Sequence, residues 1–182
     1  MKEIRWHGRG GQGAVVGARV LASAFVAEGK WAMALPRFGA ERRGAPVVAY
    51  TGFDDKPIRE KTELYHPECL IVIDPLLIRS VDVFQGVKEG GTLILDKAKP
   101  VTEQYHQSLS LIGSVDATKI GLEEIGRQIT NSAMLGAFAR TTGWLKLDSI
   151  ISSLEEYFTG DALQKNMKCA VRGYEETTLA RF

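Results

Sequence analysis

The residues with the most chemical potential are Gly8-Arg9-Gly10-Gly11-Gln12-Gly13. Four glycines fall within these six positions, and no other window is as dense. Gly8, Gly10 and Gly13 fit the spacing G-x-G-x-x-G. The main-chain amides of such a turn, together with the N-terminus of a following helix, can cradle a phosphate or pyrophosphate. A tight turn that lets a helix pack closely on a sheet would use the same glycines. The second set is basic: Arg37, Arg42 and Arg43, within Arg37-Phe38-Gly39-Ala40-Glu41-Arg42-Arg43-Gly44-Ala45-Pro46. Guanidinium groups grip phosphate or carboxylate with two parallel hydrogen bonds. This segment has no period of 2 or 3.6 and reads as an ordered loop. Phe38 and Pro46 favour a ligand or interface loop over a merely solvated one.

The remaining candidates are weaker. A dinucleotide site wants an acidic residue at the end of the second strand, about 20 residues on, to hold the ribose. Here that strand ends at Leu35-Pro36-Arg37. Arg37 could hold a 2′-phosphate instead, which keeps a stand-alone NAD(P)- or nucleotide-binding module as the alternative. His7 stands where the first strand meets the glycines, with no Ser, Cys or Asp partner near it in sequence, and reads as structural rather than as a base. His66 and His106 lack metal-ligand spacing. Asp74 and Asp96 end apolar runs, where α/β proteins place sites and where helices are also capped. Asn131 and Ser132 read as caps of a small-residue helix.

These residues need elements to position them. Ile4 and Trp6 alternate with polar neighbours as in a short strand, and a helix follows from about Gln12 to Glu28, stopped by Gly29. Residues 30–35 predict a second strand ended by Pro36, and 47–53 a third. Cys69-Leu70-Ile71-Val72-Ile73-Asp74 and Thr92-Leu93-Ile94-Leu95-Asp96 are the unbroken apolar runs of parallel strands buried on both faces. A short helix around 75–85 should connect them. Ser110–Ile112 and Ser114–Ala117 suggest one or two further strands. From Thr118 the pattern is helical: 120–129, 131–139, 147–158 with Asp148 as cap, and 161–176. The expected architecture is one α/β domain over residues 1–182, a Rossmann-like, mostly parallel sheet flanked by helices, with C-terminal helices.

Composition narrows the function. A net charge of +1 argues against sequence-independent nucleic-acid binding, which needs a strong positive field. Cys69 and Cys169 are far apart with no C-x-x-C, so neither a zinc site nor an iron–sulfur cluster is expected from this chain alone. Met1-Lys2-Glu3 precedes no apolar core, and no run reaches the ~18 apolar residues of a membrane span. A cytoplasmic location is expected.

With these pieces placed, Gly8–Gly13, the segment Phe38-Gly39-Ala40-Glu41-Arg42-Arg43-Gly44-Ala45-Pro46-Val47 and Asn131-Ser132-Ala133-Met134-Leu135-Gly136-Ala137 resemble the gamma subunit of 2-oxoacid:ferredoxin oxidoreductases. The likeness is strongest to the pyruvate and 2-ketoisovalerate enzymes of archaea and anaerobic bacteria, and covers essentially the whole chain. It implies a complex with alpha, beta and delta subunits. In that family thiamine diphosphate and Mg²⁺ sit mainly in alpha and beta, and the 4Fe–4S clusters in beta and delta. The family reaction converts a 2-oxoacid and coenzyme A to acyl-CoA and CO₂, reduces ferredoxin, and can run in reverse as pyruvate synthase. No acid–base group of the gamma chain can be carried over. The expectation is that Gly8–Gly13 with Arg37, Arg42 and Arg43 forms the coenzyme A side of the site or docks on the thiamine-bearing subunits.

Overall fold

The computed structural model describes residues 1–37, 44–59 and 64–182. Arg42 and Arg43 therefore lie outside the described residues. The sheet has seven strands: β1 (Lys2–Arg9), β2 (Trp31–Arg37), β3 (Pro46–Asp54), β4 (Cys69–Val72), β5 (Gly91–Asp96), β6 (Leu109–Val115) and β7 (Thr178–Arg181). Their spatial order is β2-β3-β1-β4-β5-β6-β7. The pairs β1–β4, β4–β5 and β5–β6 are parallel, whereas β2–β3, β3–β1 and β6–β7 are antiparallel. Hence β1, β2, β4, β5 and β6 run one way, and only β3 and β7 oppose them.

The helices are α1 (Ala14–Ala27), α2 (Ala117–Glu124), α3 (Asn131–Thr142), α4 (Leu147–Ser153) and α5 (Gly160–Glu176). All five contribute to one apolar cluster on a single face of the sheet, with Ile4, Trp6, Ile71 and Ile94 beneath them. Leu70, Val72, Leu93 and Leu95 point the other way, as strand alternation requires. There they are covered by Leu77 of a 3₁₀ turn (Pro75–Arg79) and by Val83 and Val101 of the connections. No helix among the described residues is long and apolar enough to cross a membrane.

Trp6 fixes the first unit. It is fully buried, and its indole N–H donates to Thr51 Oγ1 at 3.3 Å. The Thr51 hydroxyl donates in turn to Ala18 O at 3.0 Å. A Cβ at Gly17 would stand 2.8 Å from the Trp6 ring, so α1 approaches β1 this closely because residue 17 is glycine. Farther along, α3 and α5 touch backbone to backbone. A Cβ at Gly136 would lie 1.9 Å from Ala170 O, and one at Gly173 would lie 2.0 Å from Ala133 O.

Several boundaries differ from those predicted. β2 runs through Pro36 to Arg37, because it is an edge strand and an edge tolerates a residue without an N–H. Residues 109–115 form a single strand, one of the two outcomes expected there, and it starts one residue earlier and ends at Val115. The connection after β4 is a single 3₁₀ turn, not a helix to residue 85. Helix α1 starts at Ala14 after the left-handed Gly13, and α2 starts at Ala117 with the Asp116 side chain accepting from Lys119 N. Asp148 lies inside the first turn of α4, with Lys146 at the cap position. Strand β7 is not foreseen by pattern.

Candidate functional site

The glycine turn joins the end of β1 to α1 at the middle of the sheet. Arg9 N donates to Gln12 Oε1 at 2.7 Å, and Gln12 N donates to Arg9 O at 3.0 Å, which closes the turn. Gly11 and Gly13 have φ of 94° and 84°, a region that side-chain-bearing residues rarely adopt. Gly13 occupies the cap position of α1, where among the described residues no side chain accepts from the first-turn amides, and no acid lies in that turn. The positive end of the helix is thus left to whatever the turn receives.

Two other segments grip the turn. Arg9 Nε pairs with Asp74 Oδ2 at 2.5 Å, and Arg9 Nη1 donates to Gly44 O at 3.2 Å. Asp74 Oδ1 also accepts from Leu76 N, capping the 3₁₀ turn. Gly10 N donates to Ala45 O at 2.9 Å, and Gly44 N donates to Gly10 O at 3.3 Å. The return end of the arginine-bearing segment is therefore laced to the glycines. On the helix side, a Cβ at Gly13 would fall 2.8 Å from Asn131 Cγ. Asn131 and Thr130 are buried, and among the described residues Asn131 Oδ1 and Thr130 Oγ1 have no hydrogen-bond partner. Buried polar atoms without a partner are uncommon and costly. Neither residue caps α3, contrary to expectation for Asn131. Ser132 does not cap it either, since its hydroxyl donates to Asn166 Oδ1 at 2.7 Å.

Among the predicted site residues, Gly8, Arg9, Gly10, Gly11, Gln12 and Gly13 come together with Asp74 and Asn131. Arg37 lies at the end of β2, which β3 separates from β1. Its side chain lines a cavity on the face opposite α1, beside Arg5 and His7. The end of β2 therefore cannot present a ribose-binding residue beside the glycine turn, because β3 occupies the place next to β1, with Gly8 opposite Val47.

His7 and Arg5 form a buried pair on β1. Arg5 Nε donates to His7 Nε2 at 3.0 Å, so the neutral ring carries its proton on Nδ1. Burial, aided by the neighbouring guanidinium, pulls the His7 pKa down to about 3, which removes it as a general base near neutrality. Arg5 is lowered too, chiefly by burial, against the raising influence of Tyr50, Asp82 and Glu3. Asp96 is raised by burial although Thr118 N and the Thr118 hydroxyl donate to it. It fastens β5 to the start of α2. Among the described residues no three His, Cys, Asp or Glu side chains converge as a metal site, and Cys69 and Cys169 are both buried thiols. Burial pushes both thiols up, Cys169 to about 11. The donor set does not fit an iron–sulfur cluster.

Residues 3–176 match the family described as pyruvate ferredoxin/flavodoxin oxidoreductase. The chain is 48% identical over 182 residues to the pyruvate/ketoisovalerate oxidoreductases common subunit gamma of Thermococcus kodakarensis, covering 98% of each chain. It is also 48% identical to the NADH-dependent phenylglyoxylate dehydrogenase subunit gamma of Aromatoleum evansii, covering 98% of this chain and 95% of that one. The crystal structure of pyruvate oxidoreductase subunit PORC from Thermotoga maritima superposes with a TM-score of 0.86 at 36% identity, covering 99% of this chain and 98% of the other.

Proposed function

The chain belongs to the pyruvate ferredoxin/flavodoxin oxidoreductase family, and on that premise we propose how it serves the reaction. It is the gamma subunit of a multi-subunit 2-oxoacid:ferredoxin oxidoreductase of the pyruvate synthase type. It works with alpha, beta and delta partners that carry thiamine diphosphate, Mg²⁺ and the 4Fe–4S clusters. Thiamine diphosphate, held by the partners, would supply the nucleophile and the electron sink needed for loss of CO₂ from the 2-oxoacid. This chain supplies main-chain amides and guanidinium groups to coenzyme A at the junction with those partners. The phosphates of coenzyme A sit on the Gly8–Gly13 turn and the positive end of α1, and Arg42 and Arg43 contribute guanidinium charge to them.

The observation that carries this reading is the unmet polarity around Gly13. Among the described residues no side chain caps the α1 amides, and the buried Asn131 Oδ1, whose side chain packs on Gly13, and Thr130 Oγ1 next to it in sequence have no hydrogen-bond partner. An anion whose neighbouring groups include N–H or O–H donors answers both needs, and coenzyme A has phosphates, amides and hydroxyls. The choice of 2-oxoacid falls to other chains. One relative is named as common to pyruvate and ketoisovalerate enzymes, and another serves a phenylglyoxylate dehydrogenase, at the same identity.

The test is Arg42→Ala/Arg43→Ala in the assembled complex. Loss of charge-assisted contacts is expected to raise the apparent KM for coenzyme A about tenfold or more, with the 2-oxoacid KM and subunit stoichiometry kept. Asn131→Ala should weaken coenzyme A in the same direction without dissociating the complex. Unchanged coenzyme A affinity and unchanged stoichiometry in both variants would overturn the role.

A further inference from the structure

On the face of the sheet away from α1 lies a cavity of about 740 Å³ that the reading above does not use. Arg5 and His7 of β1 line it, together with Val48, Tyr50, Tyr65, His66 and Leu77. Arg5 is 7% exposed and His7 is 5% exposed. Among the described residues the hydrogen-bond partners of the Arg5 guanidinium are neutral: Nη2 donates to Val83 O at 2.9 Å and to Gln85 O at 2.6 Å, and Nε donates to His7. No ion pair among the described residues includes Arg5. Asp82 lines the cavity too; it is exposed, accepts from Phe84 N, and with Glu3 acts on Arg5 from beyond ion-pair distance.

A charge taken this far from water is normally matched by an acid, because desolvating it unpaired is expensive. Among the described residues no carboxylate meets Arg5 at ion-pair distance, and a cavity opens beside the cation. The His7 ring adds a second donor, since its acceptor nitrogen is already taken and the other nitrogen bears the proton. Three carbonyl and imidazole contacts fix the guanidinium in advance, so a ligand need not order it.

We infer that this cavity is a second binding site, which takes a small molecule through an oxyanion, carboxylate or phosphate, seated on Arg5 beside His7. The site is separated from the glycine turn by the thickness of the sheet and is independent of coenzyme A binding. Val47 and Val48, with Leu64 and Leu77, give the rest of the cavity an apolar lining for the body of the ligand.

The test is a titration of the full chain with labelled histidine rings and backbone amides, followed by NMR, using acetate in one arm and inorganic phosphate in the other. His7 and His66 line the cavity, whereas His106 stacks on Phe84 outside it and serves as an internal reference. The expected result is a saturable shift of His7 and His66 in at least one arm, with His106 still; the responding arm identifies the anion. Val48 stands opposite His7 across the β1–β3 pair, so Val48→Asp places a carboxylate in the cavity as an internal occupant. It should weaken the anion about tenfold or more while preserving the fold. Arg5→Lys, which keeps the charge and loses the fork, should weaken it as well. Absence of a saturable His7 shift in the wild-type chain overturns the site, as does a shift that Val48→Asp and Arg5→Lys leave intact. Phosphate shifts confined to the Gly8–Gly13 amides would overturn this site and leave the coenzyme A reading standing. If the assembled complex loses anion binding that the single chain has, the occupant is an acidic side chain of a neighbouring subunit and the small-molecule site is overturned.

Discussion

His7 holds its proton on one nitrogen and accepts from Arg5 with the other, so it stays neutral while its unfolded counterpart titrates near 6.5. With a folded pKa of about 3, the unfolded chain binds the extra proton. The stabilisation is therefore complete above about pH 6.5 and is lost as pH falls from there toward the folded value. At about pH 5 the loss should be about 2 kcal/mol relative to about pH 8. Urea denaturation of the wild type and of His7→Gln, which can still accept from Arg5, checks this: the wild-type slope between these pH values should largely vanish in the variant. At this scale the sequence is legible where one residue type has one use. Gly11 and Gly13 are readable because their spacing after a strand calls for a left-handed turn. Asn131 is not readable as the residue that presses on Gly13. That contact joins segments far apart in the chain, and its local pattern is that of an ordinary helix start. Arg5 is equally opaque, since an alternating charged residue on a strand normally faces water.

The elements owe their placement to a few close approaches. Gly136 and Gly173 let α3 and α5 meet at their backbones, and a methyl group has no room at either position. On an exposed helix, Gly→Ala should stabilise by about 1 kcal/mol. At Gly136 the sign should reverse, with a loss of about 3 kcal/mol or more, because the obstacle is the Ala170 carbonyl rather than a movable side-chain end. Equilibrium unfolding of Gly136→Ala decides it, and a stabilised variant would show that α3 and α5 are not in this contact. The buried parallel strands β4 and β5 are legible because unbroken apolar runs have no other home in an α/β layer. β7 is hidden, since Thr178-Leu179-Ala180-Arg181 is short and half-polar. It becomes a strand only because β6 offers it an open edge. Pro36 misleads for a related reason: it would end a central strand, and β2 is not one.

At the scale of the molecule, one face of the sheet carries all the helices and the other is covered by connections. Fold class and size are legible from the alternation of runs, but strand order is not. The hairpin of β2 and β3 inserts β3 beside β1, and nothing in local pattern says which strand of a hairpin lies inside. Protection from amide exchange should follow that order. The central strands β1, β4 and β5 should open only with global unfolding, while β2 and β7 should exchange through local fraying. Exchange measured by mass spectrometry or NMR checks this, and a β7 as slow as β5 would contradict the order of strands.

The stitches from Gly10 to Gly44 and Ala45, with Arg9 bridging to Gly44, have an evolutionary corollary. Two stretches of sequence that look like separate cassettes are one mechanical part, and neither can drift alone. Grafting the hairpin return of a relative into this chain without its matching turn would misalign both, and transplanting the two together would restore them.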